Sequence, residues 1–203
     1  MKLHFSAGSP FVRKCMVVAH EVGIADRIER LPAAAHPVKR DAHILESNPL
    51  GQVPTLTCDD GTVLYDSRVI CEYLDTEFGG GRLFPQSGMA RWRCLTEVAL
   101  ADGMTGAALL ARYETAARPE AAQWPEWIDG QLGKVRSGVA WLDQAAPAFG
   151  DRFDIGTIAF GCALGYVDFR FPQLDWRAAS PATAEWFARF SERPSMQKTL
   201  PKG

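Results

Sequence analysis

The stretch Asn48-Pro-Leu-Gly-Gln-Val-Pro-Thr-Leu56 decides how this chain is read. A proline just ahead of a strand donates no ladder hydrogen bond, so Pro54 belongs at an edge or a strand entrance. A cis Val53–Pro54 bond lies only about 0.5–1 kcal/mol above trans. It turns the N–H and C=O of Val53 outward, free to pair with the backbone of an extended peptide. The same dipeptide also suits a plain tight turn. Working outward, Val53–Thr57 and Thr62–Tyr65 read as strands joined by the turn residues Asp59-Asp-Gly61. Asp66 and Ser67 then cap a helix running from Arg68 to about Phe78. Upstream, Leu3–Phe5 and Ile28–Leu31 read as strands. Between them Ser9-Pro10 opens a helix that ends near Gly23, with a hydroxyl at the N-cap and proline at the first helical position. Residues 32–49 are polar and irregular, with room for one short helix.

Past Gly79-Gly-Gly81 and Pro85 no strand is expected. Apolar positions recur at helical spacing over 88–115, 124–147, 155–169 and 181–192. The expected organisation is an α/β unit over 1–78, a linker over 79–87 and an all-helical unit over 88–203.

Composition sets the outer bounds. The 203 residues are 47% hydrophobic and 23% charged, an ordinary globular balance with ample core material. Lys and Arg number 22 against 24 Asp and Glu, a net charge of -2, which argues against nucleic acid as the main partner. No apolar run reaches the roughly 20 residues of a membrane span, and the opening residues have no leader-like apolar stretch. Neither a membrane association nor a cleaved leader is expected. The five cysteines (15, 58, 71, 94 and 162) are scattered without a C-x-x-C, as in a chain kept reduced in the cytoplasm. The four histidines lie apart, and no set at metal spacing is found, so no metal is expected.

Chemistry concentrates in three loops. The N–H groups at the start of the Asp66-Ser67 helix suit a carboxylate, and Asp66 suits an ammonium; together they fit an amino-acid head group. A capped helix with a solvated Asp is the plainer alternative. Ser9, besides capping, can donate its O–H to an anion above the helix N-terminus, where the dipole adds about 0.3–1 kcal/mol. A thiol with an unperturbed pKa of about 8.5 becomes a thiolate near neutral pH under such influence.

Taken in order, S-P-F-V-R-K at 9–14, N-P-L-G-Q-V-P-T-L at 48–56, D-S-R-V-I-C-E-Y-L at 66–74, D-I-G-T-I-A-F-G-C-A-L-G-Y at 154–166 and W-F-A-R-F-S-E-R-P-S-M at 186–196 resemble the glutathione transferase superfamily over essentially the whole chain. The opening is similar to serine-type members. The resemblance implies a thioredoxin-like N-terminal domain, an all-α C-terminal domain and a cytoplasmic homodimer that uses glutathione as co-substrate. It implies that Ser9 stabilises the glutathione thiolate, and that Val53 and cis-Pro54 pair with the cysteinyl backbone. Asp66 and Ser67 would clamp the γ-glutamyl group. Gln52 would reach the glycyl carboxylate with one of Lys39, Arg40 or His43, and Phe11 would complete the glutathione-binding set.

Three departures matter. Position 9 is not cysteine, so exchange through a protein mixed disulfide is not expected, and no tyrosine lies in the first strand. Some serine classes carry the hydroxyl one residue earlier, where this chain has Gly8, which leaves Ser6 as the alternative to Ser9. The usual Ser/Thr-x-x-Asp helix signature is inverted to Asp154-x-x-Thr157. The acceptor site is expected between Ala7, Gly8 and Phe11 on one side and Met104, Ala108, Arg112 and Tyr113 on the other, with Asp102 reaching the ligand across a dimer interface. The expected reaction is attack of the bound thiolate on a small apolar electrophile. A non-catalytic glutathione-binding scaffold, or peroxidase or dehalogenase chemistry on the same site, are the alternatives.

Overall fold

Leu3 and its neighbours form the first strand, β1 (Lys2–Phe5), of a four-stranded sheet. The computed structural model describes residues 1–202. Helix α1 (Pro10–Glu21) begins where Ser9 Oγ accepts the N–H of Val12 at 3.3 Å. It crosses over to β2 (Glu29–Pro32), which runs parallel to β1 with Lys2 opposite Glu29. After a single short helix, α2 (Ala42–Leu45), β3 (Thr55–Thr57) pairs antiparallel with β1, and β4 (Val63–Leu64) pairs antiparallel with β3. The order is β2-β1-β3-β4. Helix α3 (Ser67–Gly79), capped by Asp66, closes the sheet half and ends at Gly80, whose φ of 68° is left-handed.

Both hairpin strands are shorter than their sequence pattern suggests, for local reasons. The Val53–Pro54 bond is cis, and the ladder starts only at Thr55. The Asp60 carboxylate accepts the Thr62 N–H at 2.8 Å and its hydroxyl at 3.0 Å, which keeps Thr62 in the turn. The second strand lies one residue later than expected, because a 3-10 turn occupies Ala25–Arg27.

The rest of the chain is helical: α4 (Gly88–Ala116), α5 (Pro125–Ala145), α6 (Ile155–Arg170), α7 (Trp176–Ala179), α8 (Pro181–Ser191) and α9 (Pro194–Lys198). The two shortest, α7 and α9, have too few turns to show a periodicity. Trp176 is instead fixed by its indole N–H donating to Asp168 at 2.9 Å. Helix α4 is long and apolar enough to cross a membrane by length and composition, but it packs against α5 and α6. Helix α6 is buried along most of its length and forms the centre of this half. The inverted signature makes a complete capping box. Asp154 Oδ1 accepts the Thr157 N–H at 3.0 Å, and Thr157 Oγ1 accepts the Asp154 N–H at 3.0 Å. Either order of side chains works, since each has only to supply an acceptor oxygen.

Two sets of buried contacts tie the halves together. Asp75, fully buried on α3, accepts the N–H groups of Leu83 and Phe84 at 3.0 and 3.1 Å, which holds the connecting segment against the sheet half. Helix α1 packs on α3 with one face and on α6 and α9 with the other, so even Arg13 and Lys14 are buried. Arg13 donates to the Met196 carbonyl at 3.2 Å, and Lys14 to Asp102 of α4 at 2.6 Å.

The close approach of α6 to its neighbours depends on small residues. A Cβ added at Gly161 would stand 2.6 Å from the Phe190 ring. Gly161→Ala is therefore expected to destabilise the fold by about 1–3 kcal/mol. At about 2–4 °C per kcal/mol for a chain of this size, differential scanning calorimetry should show a clearly lowered unfolding midpoint.

Candidate functional site

A cleft of about 600 Å³ opens between the two halves. One wall is the N-terminal end of α1 with the loop before β3, and it presents Ser6, Ser9, Phe11, Gln52 and Val53. The other is the outer face of α4, which presents Leu109, Arg112, Tyr113 and Ala116. Tyr166 and Arg170 of α6 close it behind, and His36 and Arg40 overhang it from the irregular segment.

The α4 wall follows from helix geometry. Residues 109, 112, 113 and 116 are three or four apart and share one face. Met104 and Ala108 lie on the adjoining, inward flank of α4, are buried and do not line the cleft; Met104 packs against Gly138 of α5. The acceptor-side expectation thus holds for Arg112 and Tyr113 and is corrected for Met104 and Ala108. Gly8 lines the cleft, and exposed Ala7 does not.

Ser9 stands at the head of α1 with its Oγ on the Val12 N–H, and its own N–H donates to the Ser6 carbonyl at 3.1 Å. Both serines face the cleft, but only Ser9 is on the helix end. Among the described residues, neither the N–H nor the C=O of Val53 enters a backbone hydrogen bond. The loop behind it is braced by Asn48, whose amide donates to the Gln52 carbonyl at 3.2 Å and to Thr55 Oγ1 at 2.9 Å. Of the three basic candidates in the irregular segment, Arg40 alone lines the cleft. Its guanidinium donates to the Pro49 carbonyl and so joins that segment to the Asn48–Val53 turn. His36 shapes the segment by accepting the N–H groups of Val38 and Lys39 on Nδ1.

Asp66, Ser67 and Pro54 lie outside the lining of this cleft. Asp66 is the N-cap of α3, and its carboxylate also receives the Arg68 guanidinium at 2.8 Å. Burial works to raise the Asp66 carboxyl, but the hydrogen bonds and charge of Arg68 prevail and hold it below the ordinary carboxylate range. It is therefore an anion at neutral pH, and Ser67 beneath it is buried.

Asp102 pairs within its own chain. Lys14 is 1% exposed, and the Asp102 carboxylate is its ion-pair partner at 2.6 Å. Burial lowers the Lys14 ammonium, but attraction to Asp102 outweighs it and the pKa is raised.

The electrostatics of the cleft are one-sided. Its lining holds three arginines, 40, 112 and 170, and no Asp or Glu. None of the three forms an ion pair among the described residues. Burial pushes the Arg170 guanidinium down, and the charge of Arg112 pushes it the same way. Burial also pushes the Tyr166 hydroxyl up to about 12, so it stays protonated.

A second titratable cluster lies away from the cleft, where Cys94, Glu97 and Asp154 bring their ligand atoms within 4.8 Å of one another. Arg152 already occupies it, 2.6 Å from Glu97 and 3.2 Å from Asp154. Burial, helped by Asp154, pushes the Cys94 thiol up to about 12, so it is protonated at neutral pH.

A family model described as the N-terminal domain of glutathione S-transferase matches residues 8–77, and its C-terminal-domain counterpart matches 125–189. The chain belongs to the glutathione S-transferase family. It is 32% identical over 205 residues, 99% of this chain and 98% of the relative, to the uncharacterized GST-like protein YibF of Escherichia coli K12. A glutathione transferase family member of Pseudomonas fluorescens Pf-5, solved with bound glutathione, superposes with a TM-score of 0.96 at 46% identity, covering 100% and 99% of the two chains. A structure from the same organism with bound S-(propanoic acid)-glutathione gives 0.91 at 45%, covering 100% of both. The glutathione S-transferase fold read from the motifs is thus the fold found.

Sequence reasoning missed Tyr166, the last residue of the 154–166 motif, and Arg170, four residues past it, because neither carries a signal of facing a cleft. Lys14 was likewise invisible, since a lysine after an arginine normally marks a solvated face. In this member of the glutathione S-transferase family, Asp102→Asn should leave the Lys14 ammonium buried without its partner and cost about 3–5 kcal/mol, whereas Lys14→Met with Asp102→Leu together should cost far less. Urea unfolding of the single and double variants measures the difference. Because the Lys14 pKa is raised on folding, the contribution of the pair is complete below the free-lysine value of about 10.4 and is lost only as pH rises through the folded value.

Proposed function

We propose that the chain is a glutathione transferase in which Ser9 stabilises the thiolate of bound glutathione for attack on a small electrophile. The observation that carries this reading is the shared opening of Ser9, at the N-terminus of a twelve-residue helix, and of the unpaired Val53 backbone onto one cleft. An extended tripeptide pairing with Val53 beside cis-Pro54 would bring its cysteinyl sulfur towards Ser9. The γ-glutamyl carboxylate would meet the start of α3 at Ser67, and its ammonium would meet the Asp66 carboxylate. The glycyl carboxylate would meet Arg40 and Gln52, and Phe11 would flank the thiol. Residues 1–78 would form the glutathione-binding unit, 79–87 the linker and 88–203 the helical unit.

The chemistry asked of the protein is modest. The Ser9 O–H donates to the thiolate while Oγ accepts from Val12, and the α1 dipole adds to the same effect. The sulfur lone pair forms the new C–S bond as a leaving group departs with its electrons or a π bond shifts. Positioning and anion stabilisation supply the acceleration. A relative that holds S-(propanoic acid)-glutathione supports thioether formation, the product of attack at carbon. The absence of cysteine at position 9 is in keeping with transfer rather than disulfide exchange. Homodimerisation in the cytoplasm belongs to the same proposal, and the five free cysteines suit a reducing compartment.

Ser9→Ala is expected to keep glutathione affinity, raise the pKa of the bound thiol and lower turnover about 10²–10³-fold, as for loss of an oxyanion donor. An ultraviolet titration of the bound thiolate decides it, since an unchanged thiol pKa would refute the role. Arg40→Gln should weaken glutathione binding about tenfold or more, as expected for loss of a charged hydrogen bond. Lys39→Gln, outside the cleft, should change it less than about twofold, and isothermal calorimetry reads both.

A further inference from the structure

The cleft carries more positive charge than glutathione uses. On the reading above, on which this inference rests, its two carboxylates are met at Ser67 and at Arg40 with Gln52. Arg112, on the α4 wall, and Arg170, behind the cleft beside Gly8, remain. Neither enters an ion pair among the described residues, and the cleft lining offers no Asp or Glu. Arg170 Nε is buried without a hydrogen-bond partner, and a Cβ at Gly8 would stand 2.8 Å from Arg170 Nη2. The guanidinium therefore reaches to within one residue of the proposed thiolate donor. Burial is the larger cause of the lowered Arg170 pKa, and the nearby charge of Arg112 adds to it.

A wholly apolar acceptor would leave two like charges on the cleft lining without a counter-ion. An anion between them replaces that repulsion with charge-assisted hydrogen bonds, and the planar fork of arginine matches a carboxylate best. Leu109, Ala116 and the Tyr166 ring supply apolar surface for the remaining body of such a molecule. We propose that Arg112 and Arg170 form a carboxylate clamp, and that the acceptor is an electrophile bearing a carboxylate rather than a purely apolar one. The arginines then set the orientation of the electrophilic carbon against the sulfur, and the site selects its substrate by charge.

Calorimetric titration of the intact protein with glutathione and with two matched pairs of conjugates tests this. The pairs are S-(carboxymethyl)- against S-(carbamoylmethyl)glutathione, and S-(para-carboxybenzyl)- against S-(para-carbamoylbenzyl)glutathione. In at least one pair the acid should bind about 10–100-fold tighter than the amide, the range for charged hydrogen bonds. In Arg112→Gln and Arg170→Gln that ratio should fall below about threefold, and Arg112→Lys should keep part of it. The lysine variant retains charge and stem, so it answers the question even where a glutamine variant does not fold. Ratios below about threefold in both pairs with wild-type protein overturn the clamp, as does equal weakening of acid and amide in the variants. That latter result would place the arginines on the thiolate instead. Failure of glutathione itself to bind would refute the underlying glutathione reading, and the clamp with it.

Discussion

The buried pair of Lys14 and Asp102 fixes how the two walls of the cleft stand to each other. Lys14 is one turn into the helix that begins at Ser9, and Asp102 is two turns before the Leu109–Ala116 face of α4. Joining them at 2.6 Å sets where the Ser9 hydroxyl lies relative to Arg112 and Tyr113. Such a pair gives little net stability over an apolar replacement, because desolvating both ions offsets most of their attraction. Its consequence is geometric. A slide of α4 along α1 would strand an ammonium away from water, so the spacing of the walls is held against small shifts.

Helix α1 shows what that arrangement demands of a sequence. It is buried towards α3 on one side and towards α6 and α9 on the other, so an ordinary amphipathic stripe would not suffice. Several of the polar groups it nevertheless carries find partners, while Arg13 Nη1 and His20 Nε2 stay buried without a hydrogen bond among the described residues. Ser9 caps, Arg13 reaches the Met196 carbonyl, and Lys14 takes Asp102. Gly165 on α6 leaves the space into which the Arg13 guanidinium fits. The clamp on the connecting segment by Asp75 serves the same end, for it holds Leu83 and Phe84 buried between the halves.

The cleft that results has two electrical characters. Near the sheet it offers the N-terminus of α1, a capping hydroxyl and an unpaired strand-like backbone, all suited to a peptide. Towards α4 and α6 it offers guanidinium groups without carboxylates. The first character comes from backbone geometry, and the second from side chains on two helices that meet only in the folded chain. Family membership speaks to the first and leaves the second open, since side chains on an acceptor wall change without disturbing the fold.

The sequence by itself determined whatever is local. Ser9-Pro10 and Asp66 announced their helix starts because a cap needs only its own few residues. The four longer helices were visible in their periodicity, and Val53-Pro54 marked the strand entrance, its cis bond being implied by the family resemblance. The inverted Asp154–Thr157 signature was legible as a cap, although its reciprocal bond was seen only in the structure. Tertiary structure decided the strand ends, where Asp60 withdrew Thr62 from the ladder, and the helices too short to show a period. It also decided which face of α4 lines the cleft, setting Met104 and Ala108 inside and Arg112 and Tyr113 outside. Arg40 was separated from Lys39 and His43, and Arg170 brought beside Gly8, only by folding. These depend on contacts between segments as far apart as residues 8 and 170. A cap or a period is encoded over a few neighbours, whereas a cleft wall is encoded by how distant helices pack.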